Sequence, residues 1–292
     1  MNTLSRERKA QIIRCLIEGN SVCATCRITG VSKGAILKLL QQVGDVCWEY
    51  QHDALRNLTC QRIQCDEIWQ YVRMKEKQAK RKGSDRPADV GDVWTWVAID
   101  ADTKLVPSWF IGGRDARCAY EFMLDLESRL AHRVQLTTDG HKAYLSAVGG
   151  AFGSTGIDYA MLVKVYGAET QEEHRYSPAV CIGCDRTRVY GDPDPKHVST
   201  SYIERQNLTM RMGMRRYTRL TNGFSKNVGN HAYMTALHFM HYNFCRVHQS
   251  LRVTPAMEAK IMLPNGKTKA LADHIWDVED IVDLLPNKAA LR

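Results

Sequence analysis

Near its start the chain carries apolar residues at helical spacing. From Ser5 onward, Ile12, Ile13, Leu16 and Ile17 share one face, Arg6, Arg8, Lys9 and Arg14 lie elsewhere, and the pattern stops at Gly19-Asn20. Ser21 is placed to cap a short second helix bearing Val22, Cys23, Cys26 and Ile28; after Thr29-Gly30-Val31, Ser32 is placed to cap a third with Ile36, Leu37, Leu39, Leu40 and Val43. Two short helices joined by a glycine turn predict an all-α helix-turn-helix domain over 1–45. A plain three-helix bundle is the alternative reading of the same pattern. Apolar residues between Gly44 and Thr59 keep no sustained period, so 46–60 reads as a linker with at most a turn of helix.

Beyond Arg62 the period changes to that of strands. Ile63–Val72 is a strand candidate with a carboxylate in its middle, and Val93–Ile99 and Leu105–Ile111 form a hairpin around Asp100-Ala101-Asp102-Thr103. A helix is predicted over Asp115–Ala131, a fourth strand over Val134–Thr138 running into Asp139-Gly140, a helix from about Lys142 and a fifth strand over Tyr159–Val165. A later long helix spans about Ser201–Arg216. Three strands, helix, strand, helix, strand and a late helix is the element order of the ribonuclease-H-like fold. The expectation is therefore an α/β domain over 61–254, a mixed five-stranded sheet flanked by helices, followed by a tail over 255–292 with an amphipathic helix around Ile275, Trp276, Val278, Ile281, Val282 and Leu285. That tail is expected to pack on its own chain or on a second subunit.

Composition narrows the setting. At 292 residues, 44% hydrophobic and 25% charged, the chain is long enough for one sizeable core and an appended module, and it is not low-complexity. No apolar stretch approaches the ~18 residues of a membrane helix, and Met1–Arg14 lacks a signal-peptide core. The ten cysteines lack the density of a secreted disulfide scaffold. A soluble cytoplasmic, nucleoid-associated protein with reduced thiols is expected. Forty Lys+Arg against 32 Asp+Glu give a net charge of +8, which suits a polyanionic partner. With a helix-turn-helix present, double-stranded DNA is the expected partner, and Ser32, Lys33, Gly34 and Lys38 would lie nearest to it. The basic run from Arg73, with Lys80, Arg81 and Lys82, is a further candidate for backbone contact, or else a solvated hairpin.

In the expected fold the first and fourth strands are neighbours, so Asp66 and Asp139 come together. On the late helix Glu204, Asn207, Arg211 and Arg215 recur at spacings that share one face. Three converging carboxylates suit two Mg²⁺ ions, with Mn²⁺ as substitute, because hard cations need oxygen ligands and a paired site serves in-line displacement at phosphorus. The expected ligands are Asp66, bridging, with Asp139 and Glu204; Arg211 would neutralise a phosphate, and Asn207 and Arg215 are further DNA contacts. Each position has a plainer reading. Glu67 is an alternative ligand to Asp66, Asp139-Gly140 also forms turns, and Ser201-Tyr202-Ile203-Glu204 fits a capping box.

Cys65-Asp66-Glu67-Ile68-Trp69, Thr138-Asp139-Gly140-His141-Lys142-Ala143-Tyr144, and Tyr202-Ile203-Glu204-Arg205-Gln206-Asn207-Leu208 leading to Phe224-Ser225-Lys226-Asn227 resemble the three acidic motifs of DDE transposases of the insertion-sequence-one family. The resemblance spans about Gln61–Pro255. It implies that the three acids bind metal, that the basic residue seven positions after Glu204, here Arg211, assists, and that donor-end nicking precedes strand transfer. Terminal inverted repeats and target DNA would be the partners, and a homodimer or larger assembly would hold two ends. Many such relatives carry an N-terminal zinc ribbon, whereas this chain begins directly at the helix-turn-helix pattern. A transposase-derived DNA-binding regulator and a nuclease of the same fold are the alternative functions.

Two patterns invite a metal reading and favour a plainer one. Cys181-Ile182-Gly183-Cys184, with His174 or His197, has half the ligands of a zinc site and is expected to be an ordered loop near the acids. His231, His238, His241 and His248 sit among Tyr233, Leu237, Met240 and Phe244, so packing is expected.

Overall fold

Serine side chains set the starts of the first three helices, as the sequence predicts. A computed structural model describes residues 4–83, 90–166, 181–218 and 221–286. Ser5, Ser21 and Ser32 accept hydrogen bonds from the backbone N–H groups of Arg8, Ala24 and Ala35, opening α1 (Arg6–Ile17), α2 (Val22–Thr29) and α3 (Lys33–Ala54). Gly30 ends α2 in the left-handed region, φ 69°. The stretch expected as a linker over 46–60 is instead helix as far as Ala54. The reason is tertiary: buried Cys47 and Gln51 continue the apolar face of Leu39, Leu40 and Val43, and the Gln51 amide donates to the Ala236 carbonyl at 3.1 Å.

The sheet has six strands in the order β3-β2-β1-β4-β5-β6, formed by β1 (Arg62–Val72), β2 (Gly91–Asp100), β3 (Trp109–Gly112), β4 (Gln135–Thr138), β5 (Asp158–Tyr166) and β6 (Cys181–Tyr190). β1 pairs antiparallel with β2 and parallel with β4, and β4 pairs parallel with β5. The expected neighbourhood of first and fourth strands is present. The expected count of five strands is corrected to six, since the segment read as an ordered loop supplies β6, antiparallel to β5. β6 escapes the sequence reading because most of it is exposed on both faces, so no alternation marks it.

β3 begins four residues later than predicted, at Trp109. The apolar pair Leu105-Val106 is buried but is held by a side chain: Asn243 pairs with the N–H and C=O of Val106, both at 3.0 Å. A short α4 (Glu76–Lys80) follows β1, and α5 (Ala116–Glu127) and α6 (Ala143–Phe152) pack on one another. One continuous core joins Trp96, Phe122, Leu136 and Tyr144 of this region to Ile12, Ile36 and Leu40 of the N-terminal helices.

α7 (Ser201–Gly213) ends three residues short of the expected boundary, where Met214 is extended. α8 (Val228–Met240) lies along α3. The tail forms α9 (Pro255–Glu258), a hairpin of β7 (Lys260–Met262) and β8 (Thr268–Ala270), and α10 (Val278–Asp283). α10 packs on α1 of its own chain, where Arg6 pairs with Asp283 and Arg14 with Glu279. Among the described residues no helix is long and apolar enough to cross a membrane.

Candidate functional site

β4 is short and β1 is long, and that mismatch creates the site. Their parallel pairing ends at Cys65 and Thr138, where the next residues of the two strands are Asp66 and Asp139; β1 runs on to Val72, where its β4-side edge is bridged by Ser225 instead. Adjacent strands lie ~4.8 Å apart, so the register brings the two carboxylates together. Glu67 joins them. One carboxylate oxygen from each of Asp66, Glu67 and Asp139 lies within 4.8 Å of the others.

The two neighbours on β1 are held differently. Asp66 accepts from the Glu67 N–H at 2.8 Å and from the Asn207 amide at 2.8 Å. Glu67 is buried, accepts from the Arg114 guanidinium at 2.7 Å and from the Tyr144 hydroxyl at 3.2 Å, and Arg114 in turn covers the Trp94 ring. Asp139 uses one oxygen as a turn acceptor for the His141 N–H at 3.0 Å. The turn reading and the ligand reading of Asp139-Gly140 are thus compatible.

α7 is docked by a residue two positions before Asp66. The Gln64 side-chain oxygen accepts from the Tyr202 and Ile203 N–H groups at 2.9 and 3.2 Å, taking the place of a side-chain cap that Thr200 does not supply. Gln64 and Asp66 share a face of β1 by strand alternation, so this anchor sets Asn207 beside Asp66. The capping-box reading of Glu204 is not realised. Its carboxylate meets Lys164 of β5 at 2.5 Å and accepts from the Thr200 hydroxyl at 2.6 Å.

Crowding of like charges sets the electrostatics. Burial, then the charges of Glu67 and Asp139 and more weakly Glu204, push the Asp66 carboxyl up to about 7 against the opposing Glu67 N–H bond. Burial and Asp139 also raise Glu67, opposed by Arg114 and Tyr144. The cluster is short of positive charge at its centre, and its oxygen donors fit a hard divalent cation.

The other predicted residues are placed as follows. Asn207, expected to touch DNA, is buried and donates to Asp66. Arg211 lies on α7 two turns beyond Glu204. Arg215 has left the helix face predicted for it, because α7 ends at Gly213 and Arg215 begins a separate 3-10 turn, Arg215–Tyr217. Ser32 is engaged as a cap, and Lys33 and Lys38 are exposed on α3. Lys80, Arg81 and Lys82 are exposed at and after the end of α4, whose Ala79 is buried.

Cys181 and Cys184 are exposed on β6, where a bulge opposite Val165 and Tyr166 shifts the register, and among the described residues no third ligand joins them. His174 lies outside the described residues. Burial pushes His231 and His238 down to about 3 and His241 to about 4, as the packing reading expects. Gln64 and Arg114 are the residues of this site that sequence reasoning left out, whereas Glu67 was read only as an alternative ligand. Strand alternation was the one available signal for Gln64, whereas nothing local marks Arg114. No protein-family model and no curated protein sequence matches the chain.

Proposed function

We propose that this protein is a DNA transposase of a bacterial-type insertion sequence, with a ribonuclease-H-like catalytic domain and an N-terminal helix-turn-helix that binds transposon ends. The observation that carries the reading is the meeting of Asp66 and Asp139 where β4 parts from β1, with the Asn207 amide of α7 bonded to Asp66. The family resemblance of the same three motifs supports it.

Asp66, Asp139 and Glu204 would hold two Mg²⁺ ions, which when bound activate an attacking oxygen and stabilise the leaving oxygen at phosphorus. Asn207 fixes the Asp66 carboxylate, and the Glu67 N–H holds its other oxygen. Glu204 is held by the half-exposed Lys164 and the Thr200 hydroxyl and would exchange these partners for metal, whereas Glu67 is committed to Arg114 and Tyr144 inside the core. Glu67 therefore acts as a buried counter-charge for Arg114. Arg211, on the same helix as Glu204, is the cation for a substrate phosphate.

The test incubates protein, Mg²⁺, labelled transposon-end DNA and a target plasmid, comparing wild type with Asp66→Asn, Asp139→Asn, Glu204→Gln and Glu67→Gln. Joined products are expected from wild type and lost by ~100-fold or more in the first three variants, with Glu67→Gln retaining part of the activity. Cutting without joining points instead to a nuclease, and DNA binding without either to a regulator.

A further inference from the structure

The N-terminal helices and the segment after α7 enclose a cleft of about 430 Å³ whose lining, among the described residues, has cations but no acid. Lys33 of α3 stands on one side, and Arg215, Arg216 and Lys226 on the other. Among the described residues none of the four has a carboxylate partner; Arg216 donates to the Ser225 hydroxyl at 3.1 Å. Burial lowers the Arg216 guanidinium to about 10, with only Tyr217 acting against it. Arg216 is only partly exposed, and a cation withdrawn from water without a counter-ion is costly unless an anion completes it.

Three helices also begin here. The cap Ser21 and first residue Val22 of α2, the first residue Lys33 of α3 and the cap Asn227 of α8 all line the cleft, so three positive dipole ends add to the side-chain charge, each with one N–H already held by its cap. Side-chain amides of Asn20 and Asn222 supply further donors. The uniform sign of the lining is what distinguishes this cleft from a solvated surface, where acids and bases alternate.

We infer that this cleft binds the phosphodiester backbone of a DNA duplex, clamping it between the helix-turn-helix and the segment that follows α7. The inference rests on DNA being the partner, not on strand transfer. A backbone held jointly by Lys33 and by Arg215 and Lys226 would be fixed with respect to both the reading helix and the acids, so the two parts of the chain would share one stretch of substrate.

Binding of a labelled duplex is measured by fluorescence anisotropy over a range of salt concentrations, with chelator present so that no cutting intervenes. Each neutralised phosphate contributes about 0.9 to the slope of log affinity against log salt. Lys33→Ala, Arg215→Ala and Lys226→Ala are each expected to reduce the slope by about one, and the triple variant by about two to three with at least about tenfold weaker binding near 0.1 M salt. Lys267→Ala on the distant β7–β8 hairpin leaves it unchanged. Arg216→Met is expected to act in the same direction, and if it fails to fold, the three exposed positions decide. Cys23, exposed at the rim, should be shielded from alkylation by duplex in wild type and not in the triple variant. A triple variant with the wild-type slope overturns the proposal. So does stabilisation of wild type by inorganic phosphate or a nucleoside monophosphate with duplex binding unaffected by the substitutions, which would make the ligand a small phosphate compound. Loss of strand transfer with these slopes intact would count against the transposase reading alone.

Discussion

At the scale of single residues, Asp66 carries the highest tension in the site. Its carboxyl titrates near 7 in the folded chain against the ordinary 3.8, so between those values the folded state holds a proton that the unfolded state releases. Stability from this group is present below the ordinary value and is lost as pH rises through about 7. Asp66→Asn removes the titration, and the buried Asn207 amide can flip to present its oxygen to the new side chain. In chelator, the variant is expected to exceed wild type in stability at pH 8 by roughly 1–3 kcal/mol, with the gap narrower at pH 5 and closing only as pH falls to the ordinary carboxylate value. Denaturant titrations at the two pH values check this, and a pH-independent difference would refute the assigned tension. The three acids were legible in the sequence because each sits at a recognisable place: mid-strand, strand end, first turn of a helix. Arg114 and Tyr144 were not, since they reach Glu67 from elements whose packing no local pattern encodes.

At the scale of elements, the contact of α3 with α8 depends on one missing side chain. A Cβ at Gly44 would lie 2.4 Å from Tyr233 Cβ and 2.6 Å from its Cα, where neither helix can yield without moving. Gly44→Ala is expected to cost about 1–3 kcal/mol by overpacking. Gly34→Ala is the control: the added methyl meets nothing within 4 Å, and helix propensity makes the change neutral or stabilising by under about 1 kcal/mol. Thermal melts of both variants decide the point, and equal behaviour would show that the helices do not approach so closely in solution. This contact also explains an element the sequence pattern misread. Residues 46–54 lack a clean amphipathic stripe because Trp48 and Glu49 face outward while Cys47 and Gln51, neither strongly apolar, face α8. Conversely β1, β2, β4 and β5 were read nearly to the residue, since central strands carry apolar residues that their surroundings demand. The edge strand β6 and the hand-over from strand to Asn243 clamp at Val106 depend on tertiary partners and leave no such trace.

At the scale of the whole molecule, the N-terminal helices and the sheet domain share one core. Ile36, Leu39, Leu40 and Val43 are buried to within 3% of full burial, and the same cluster runs through α8 to the sheet. Gly19, in the left-handed region at φ 76°, sets its turn against the Gly213 carbonyl at the end of α7, so the N-terminal helices also touch the helix that carries Glu204. Exposed pairs such as Arg6 with Asp283 contribute at most about 1 kcal/mol each, so the apolar contact dominates this junction. Fully burying each of the four α3 residues contributes about 1.5–3 kcal/mol, which together is comparable to the net stability of a domain. The full chain is therefore expected to unfold in one cooperative transition, seen at the same temperature by helical circular dichroism and by tryptophan fluorescence. A chain starting at residue 46 should lose that transition or bind a hydrophobic dye, because α8 would lose its Gly44 contact and present Tyr233 to water. Two separate transitions, the upper one kept by the shortened chain, would mean that the N-terminal helices fold as an independent unit. A single transition would mean that those helices and the sheet bearing Asp66 and Asp139 fold as one body, as the proposed clamp on DNA requires.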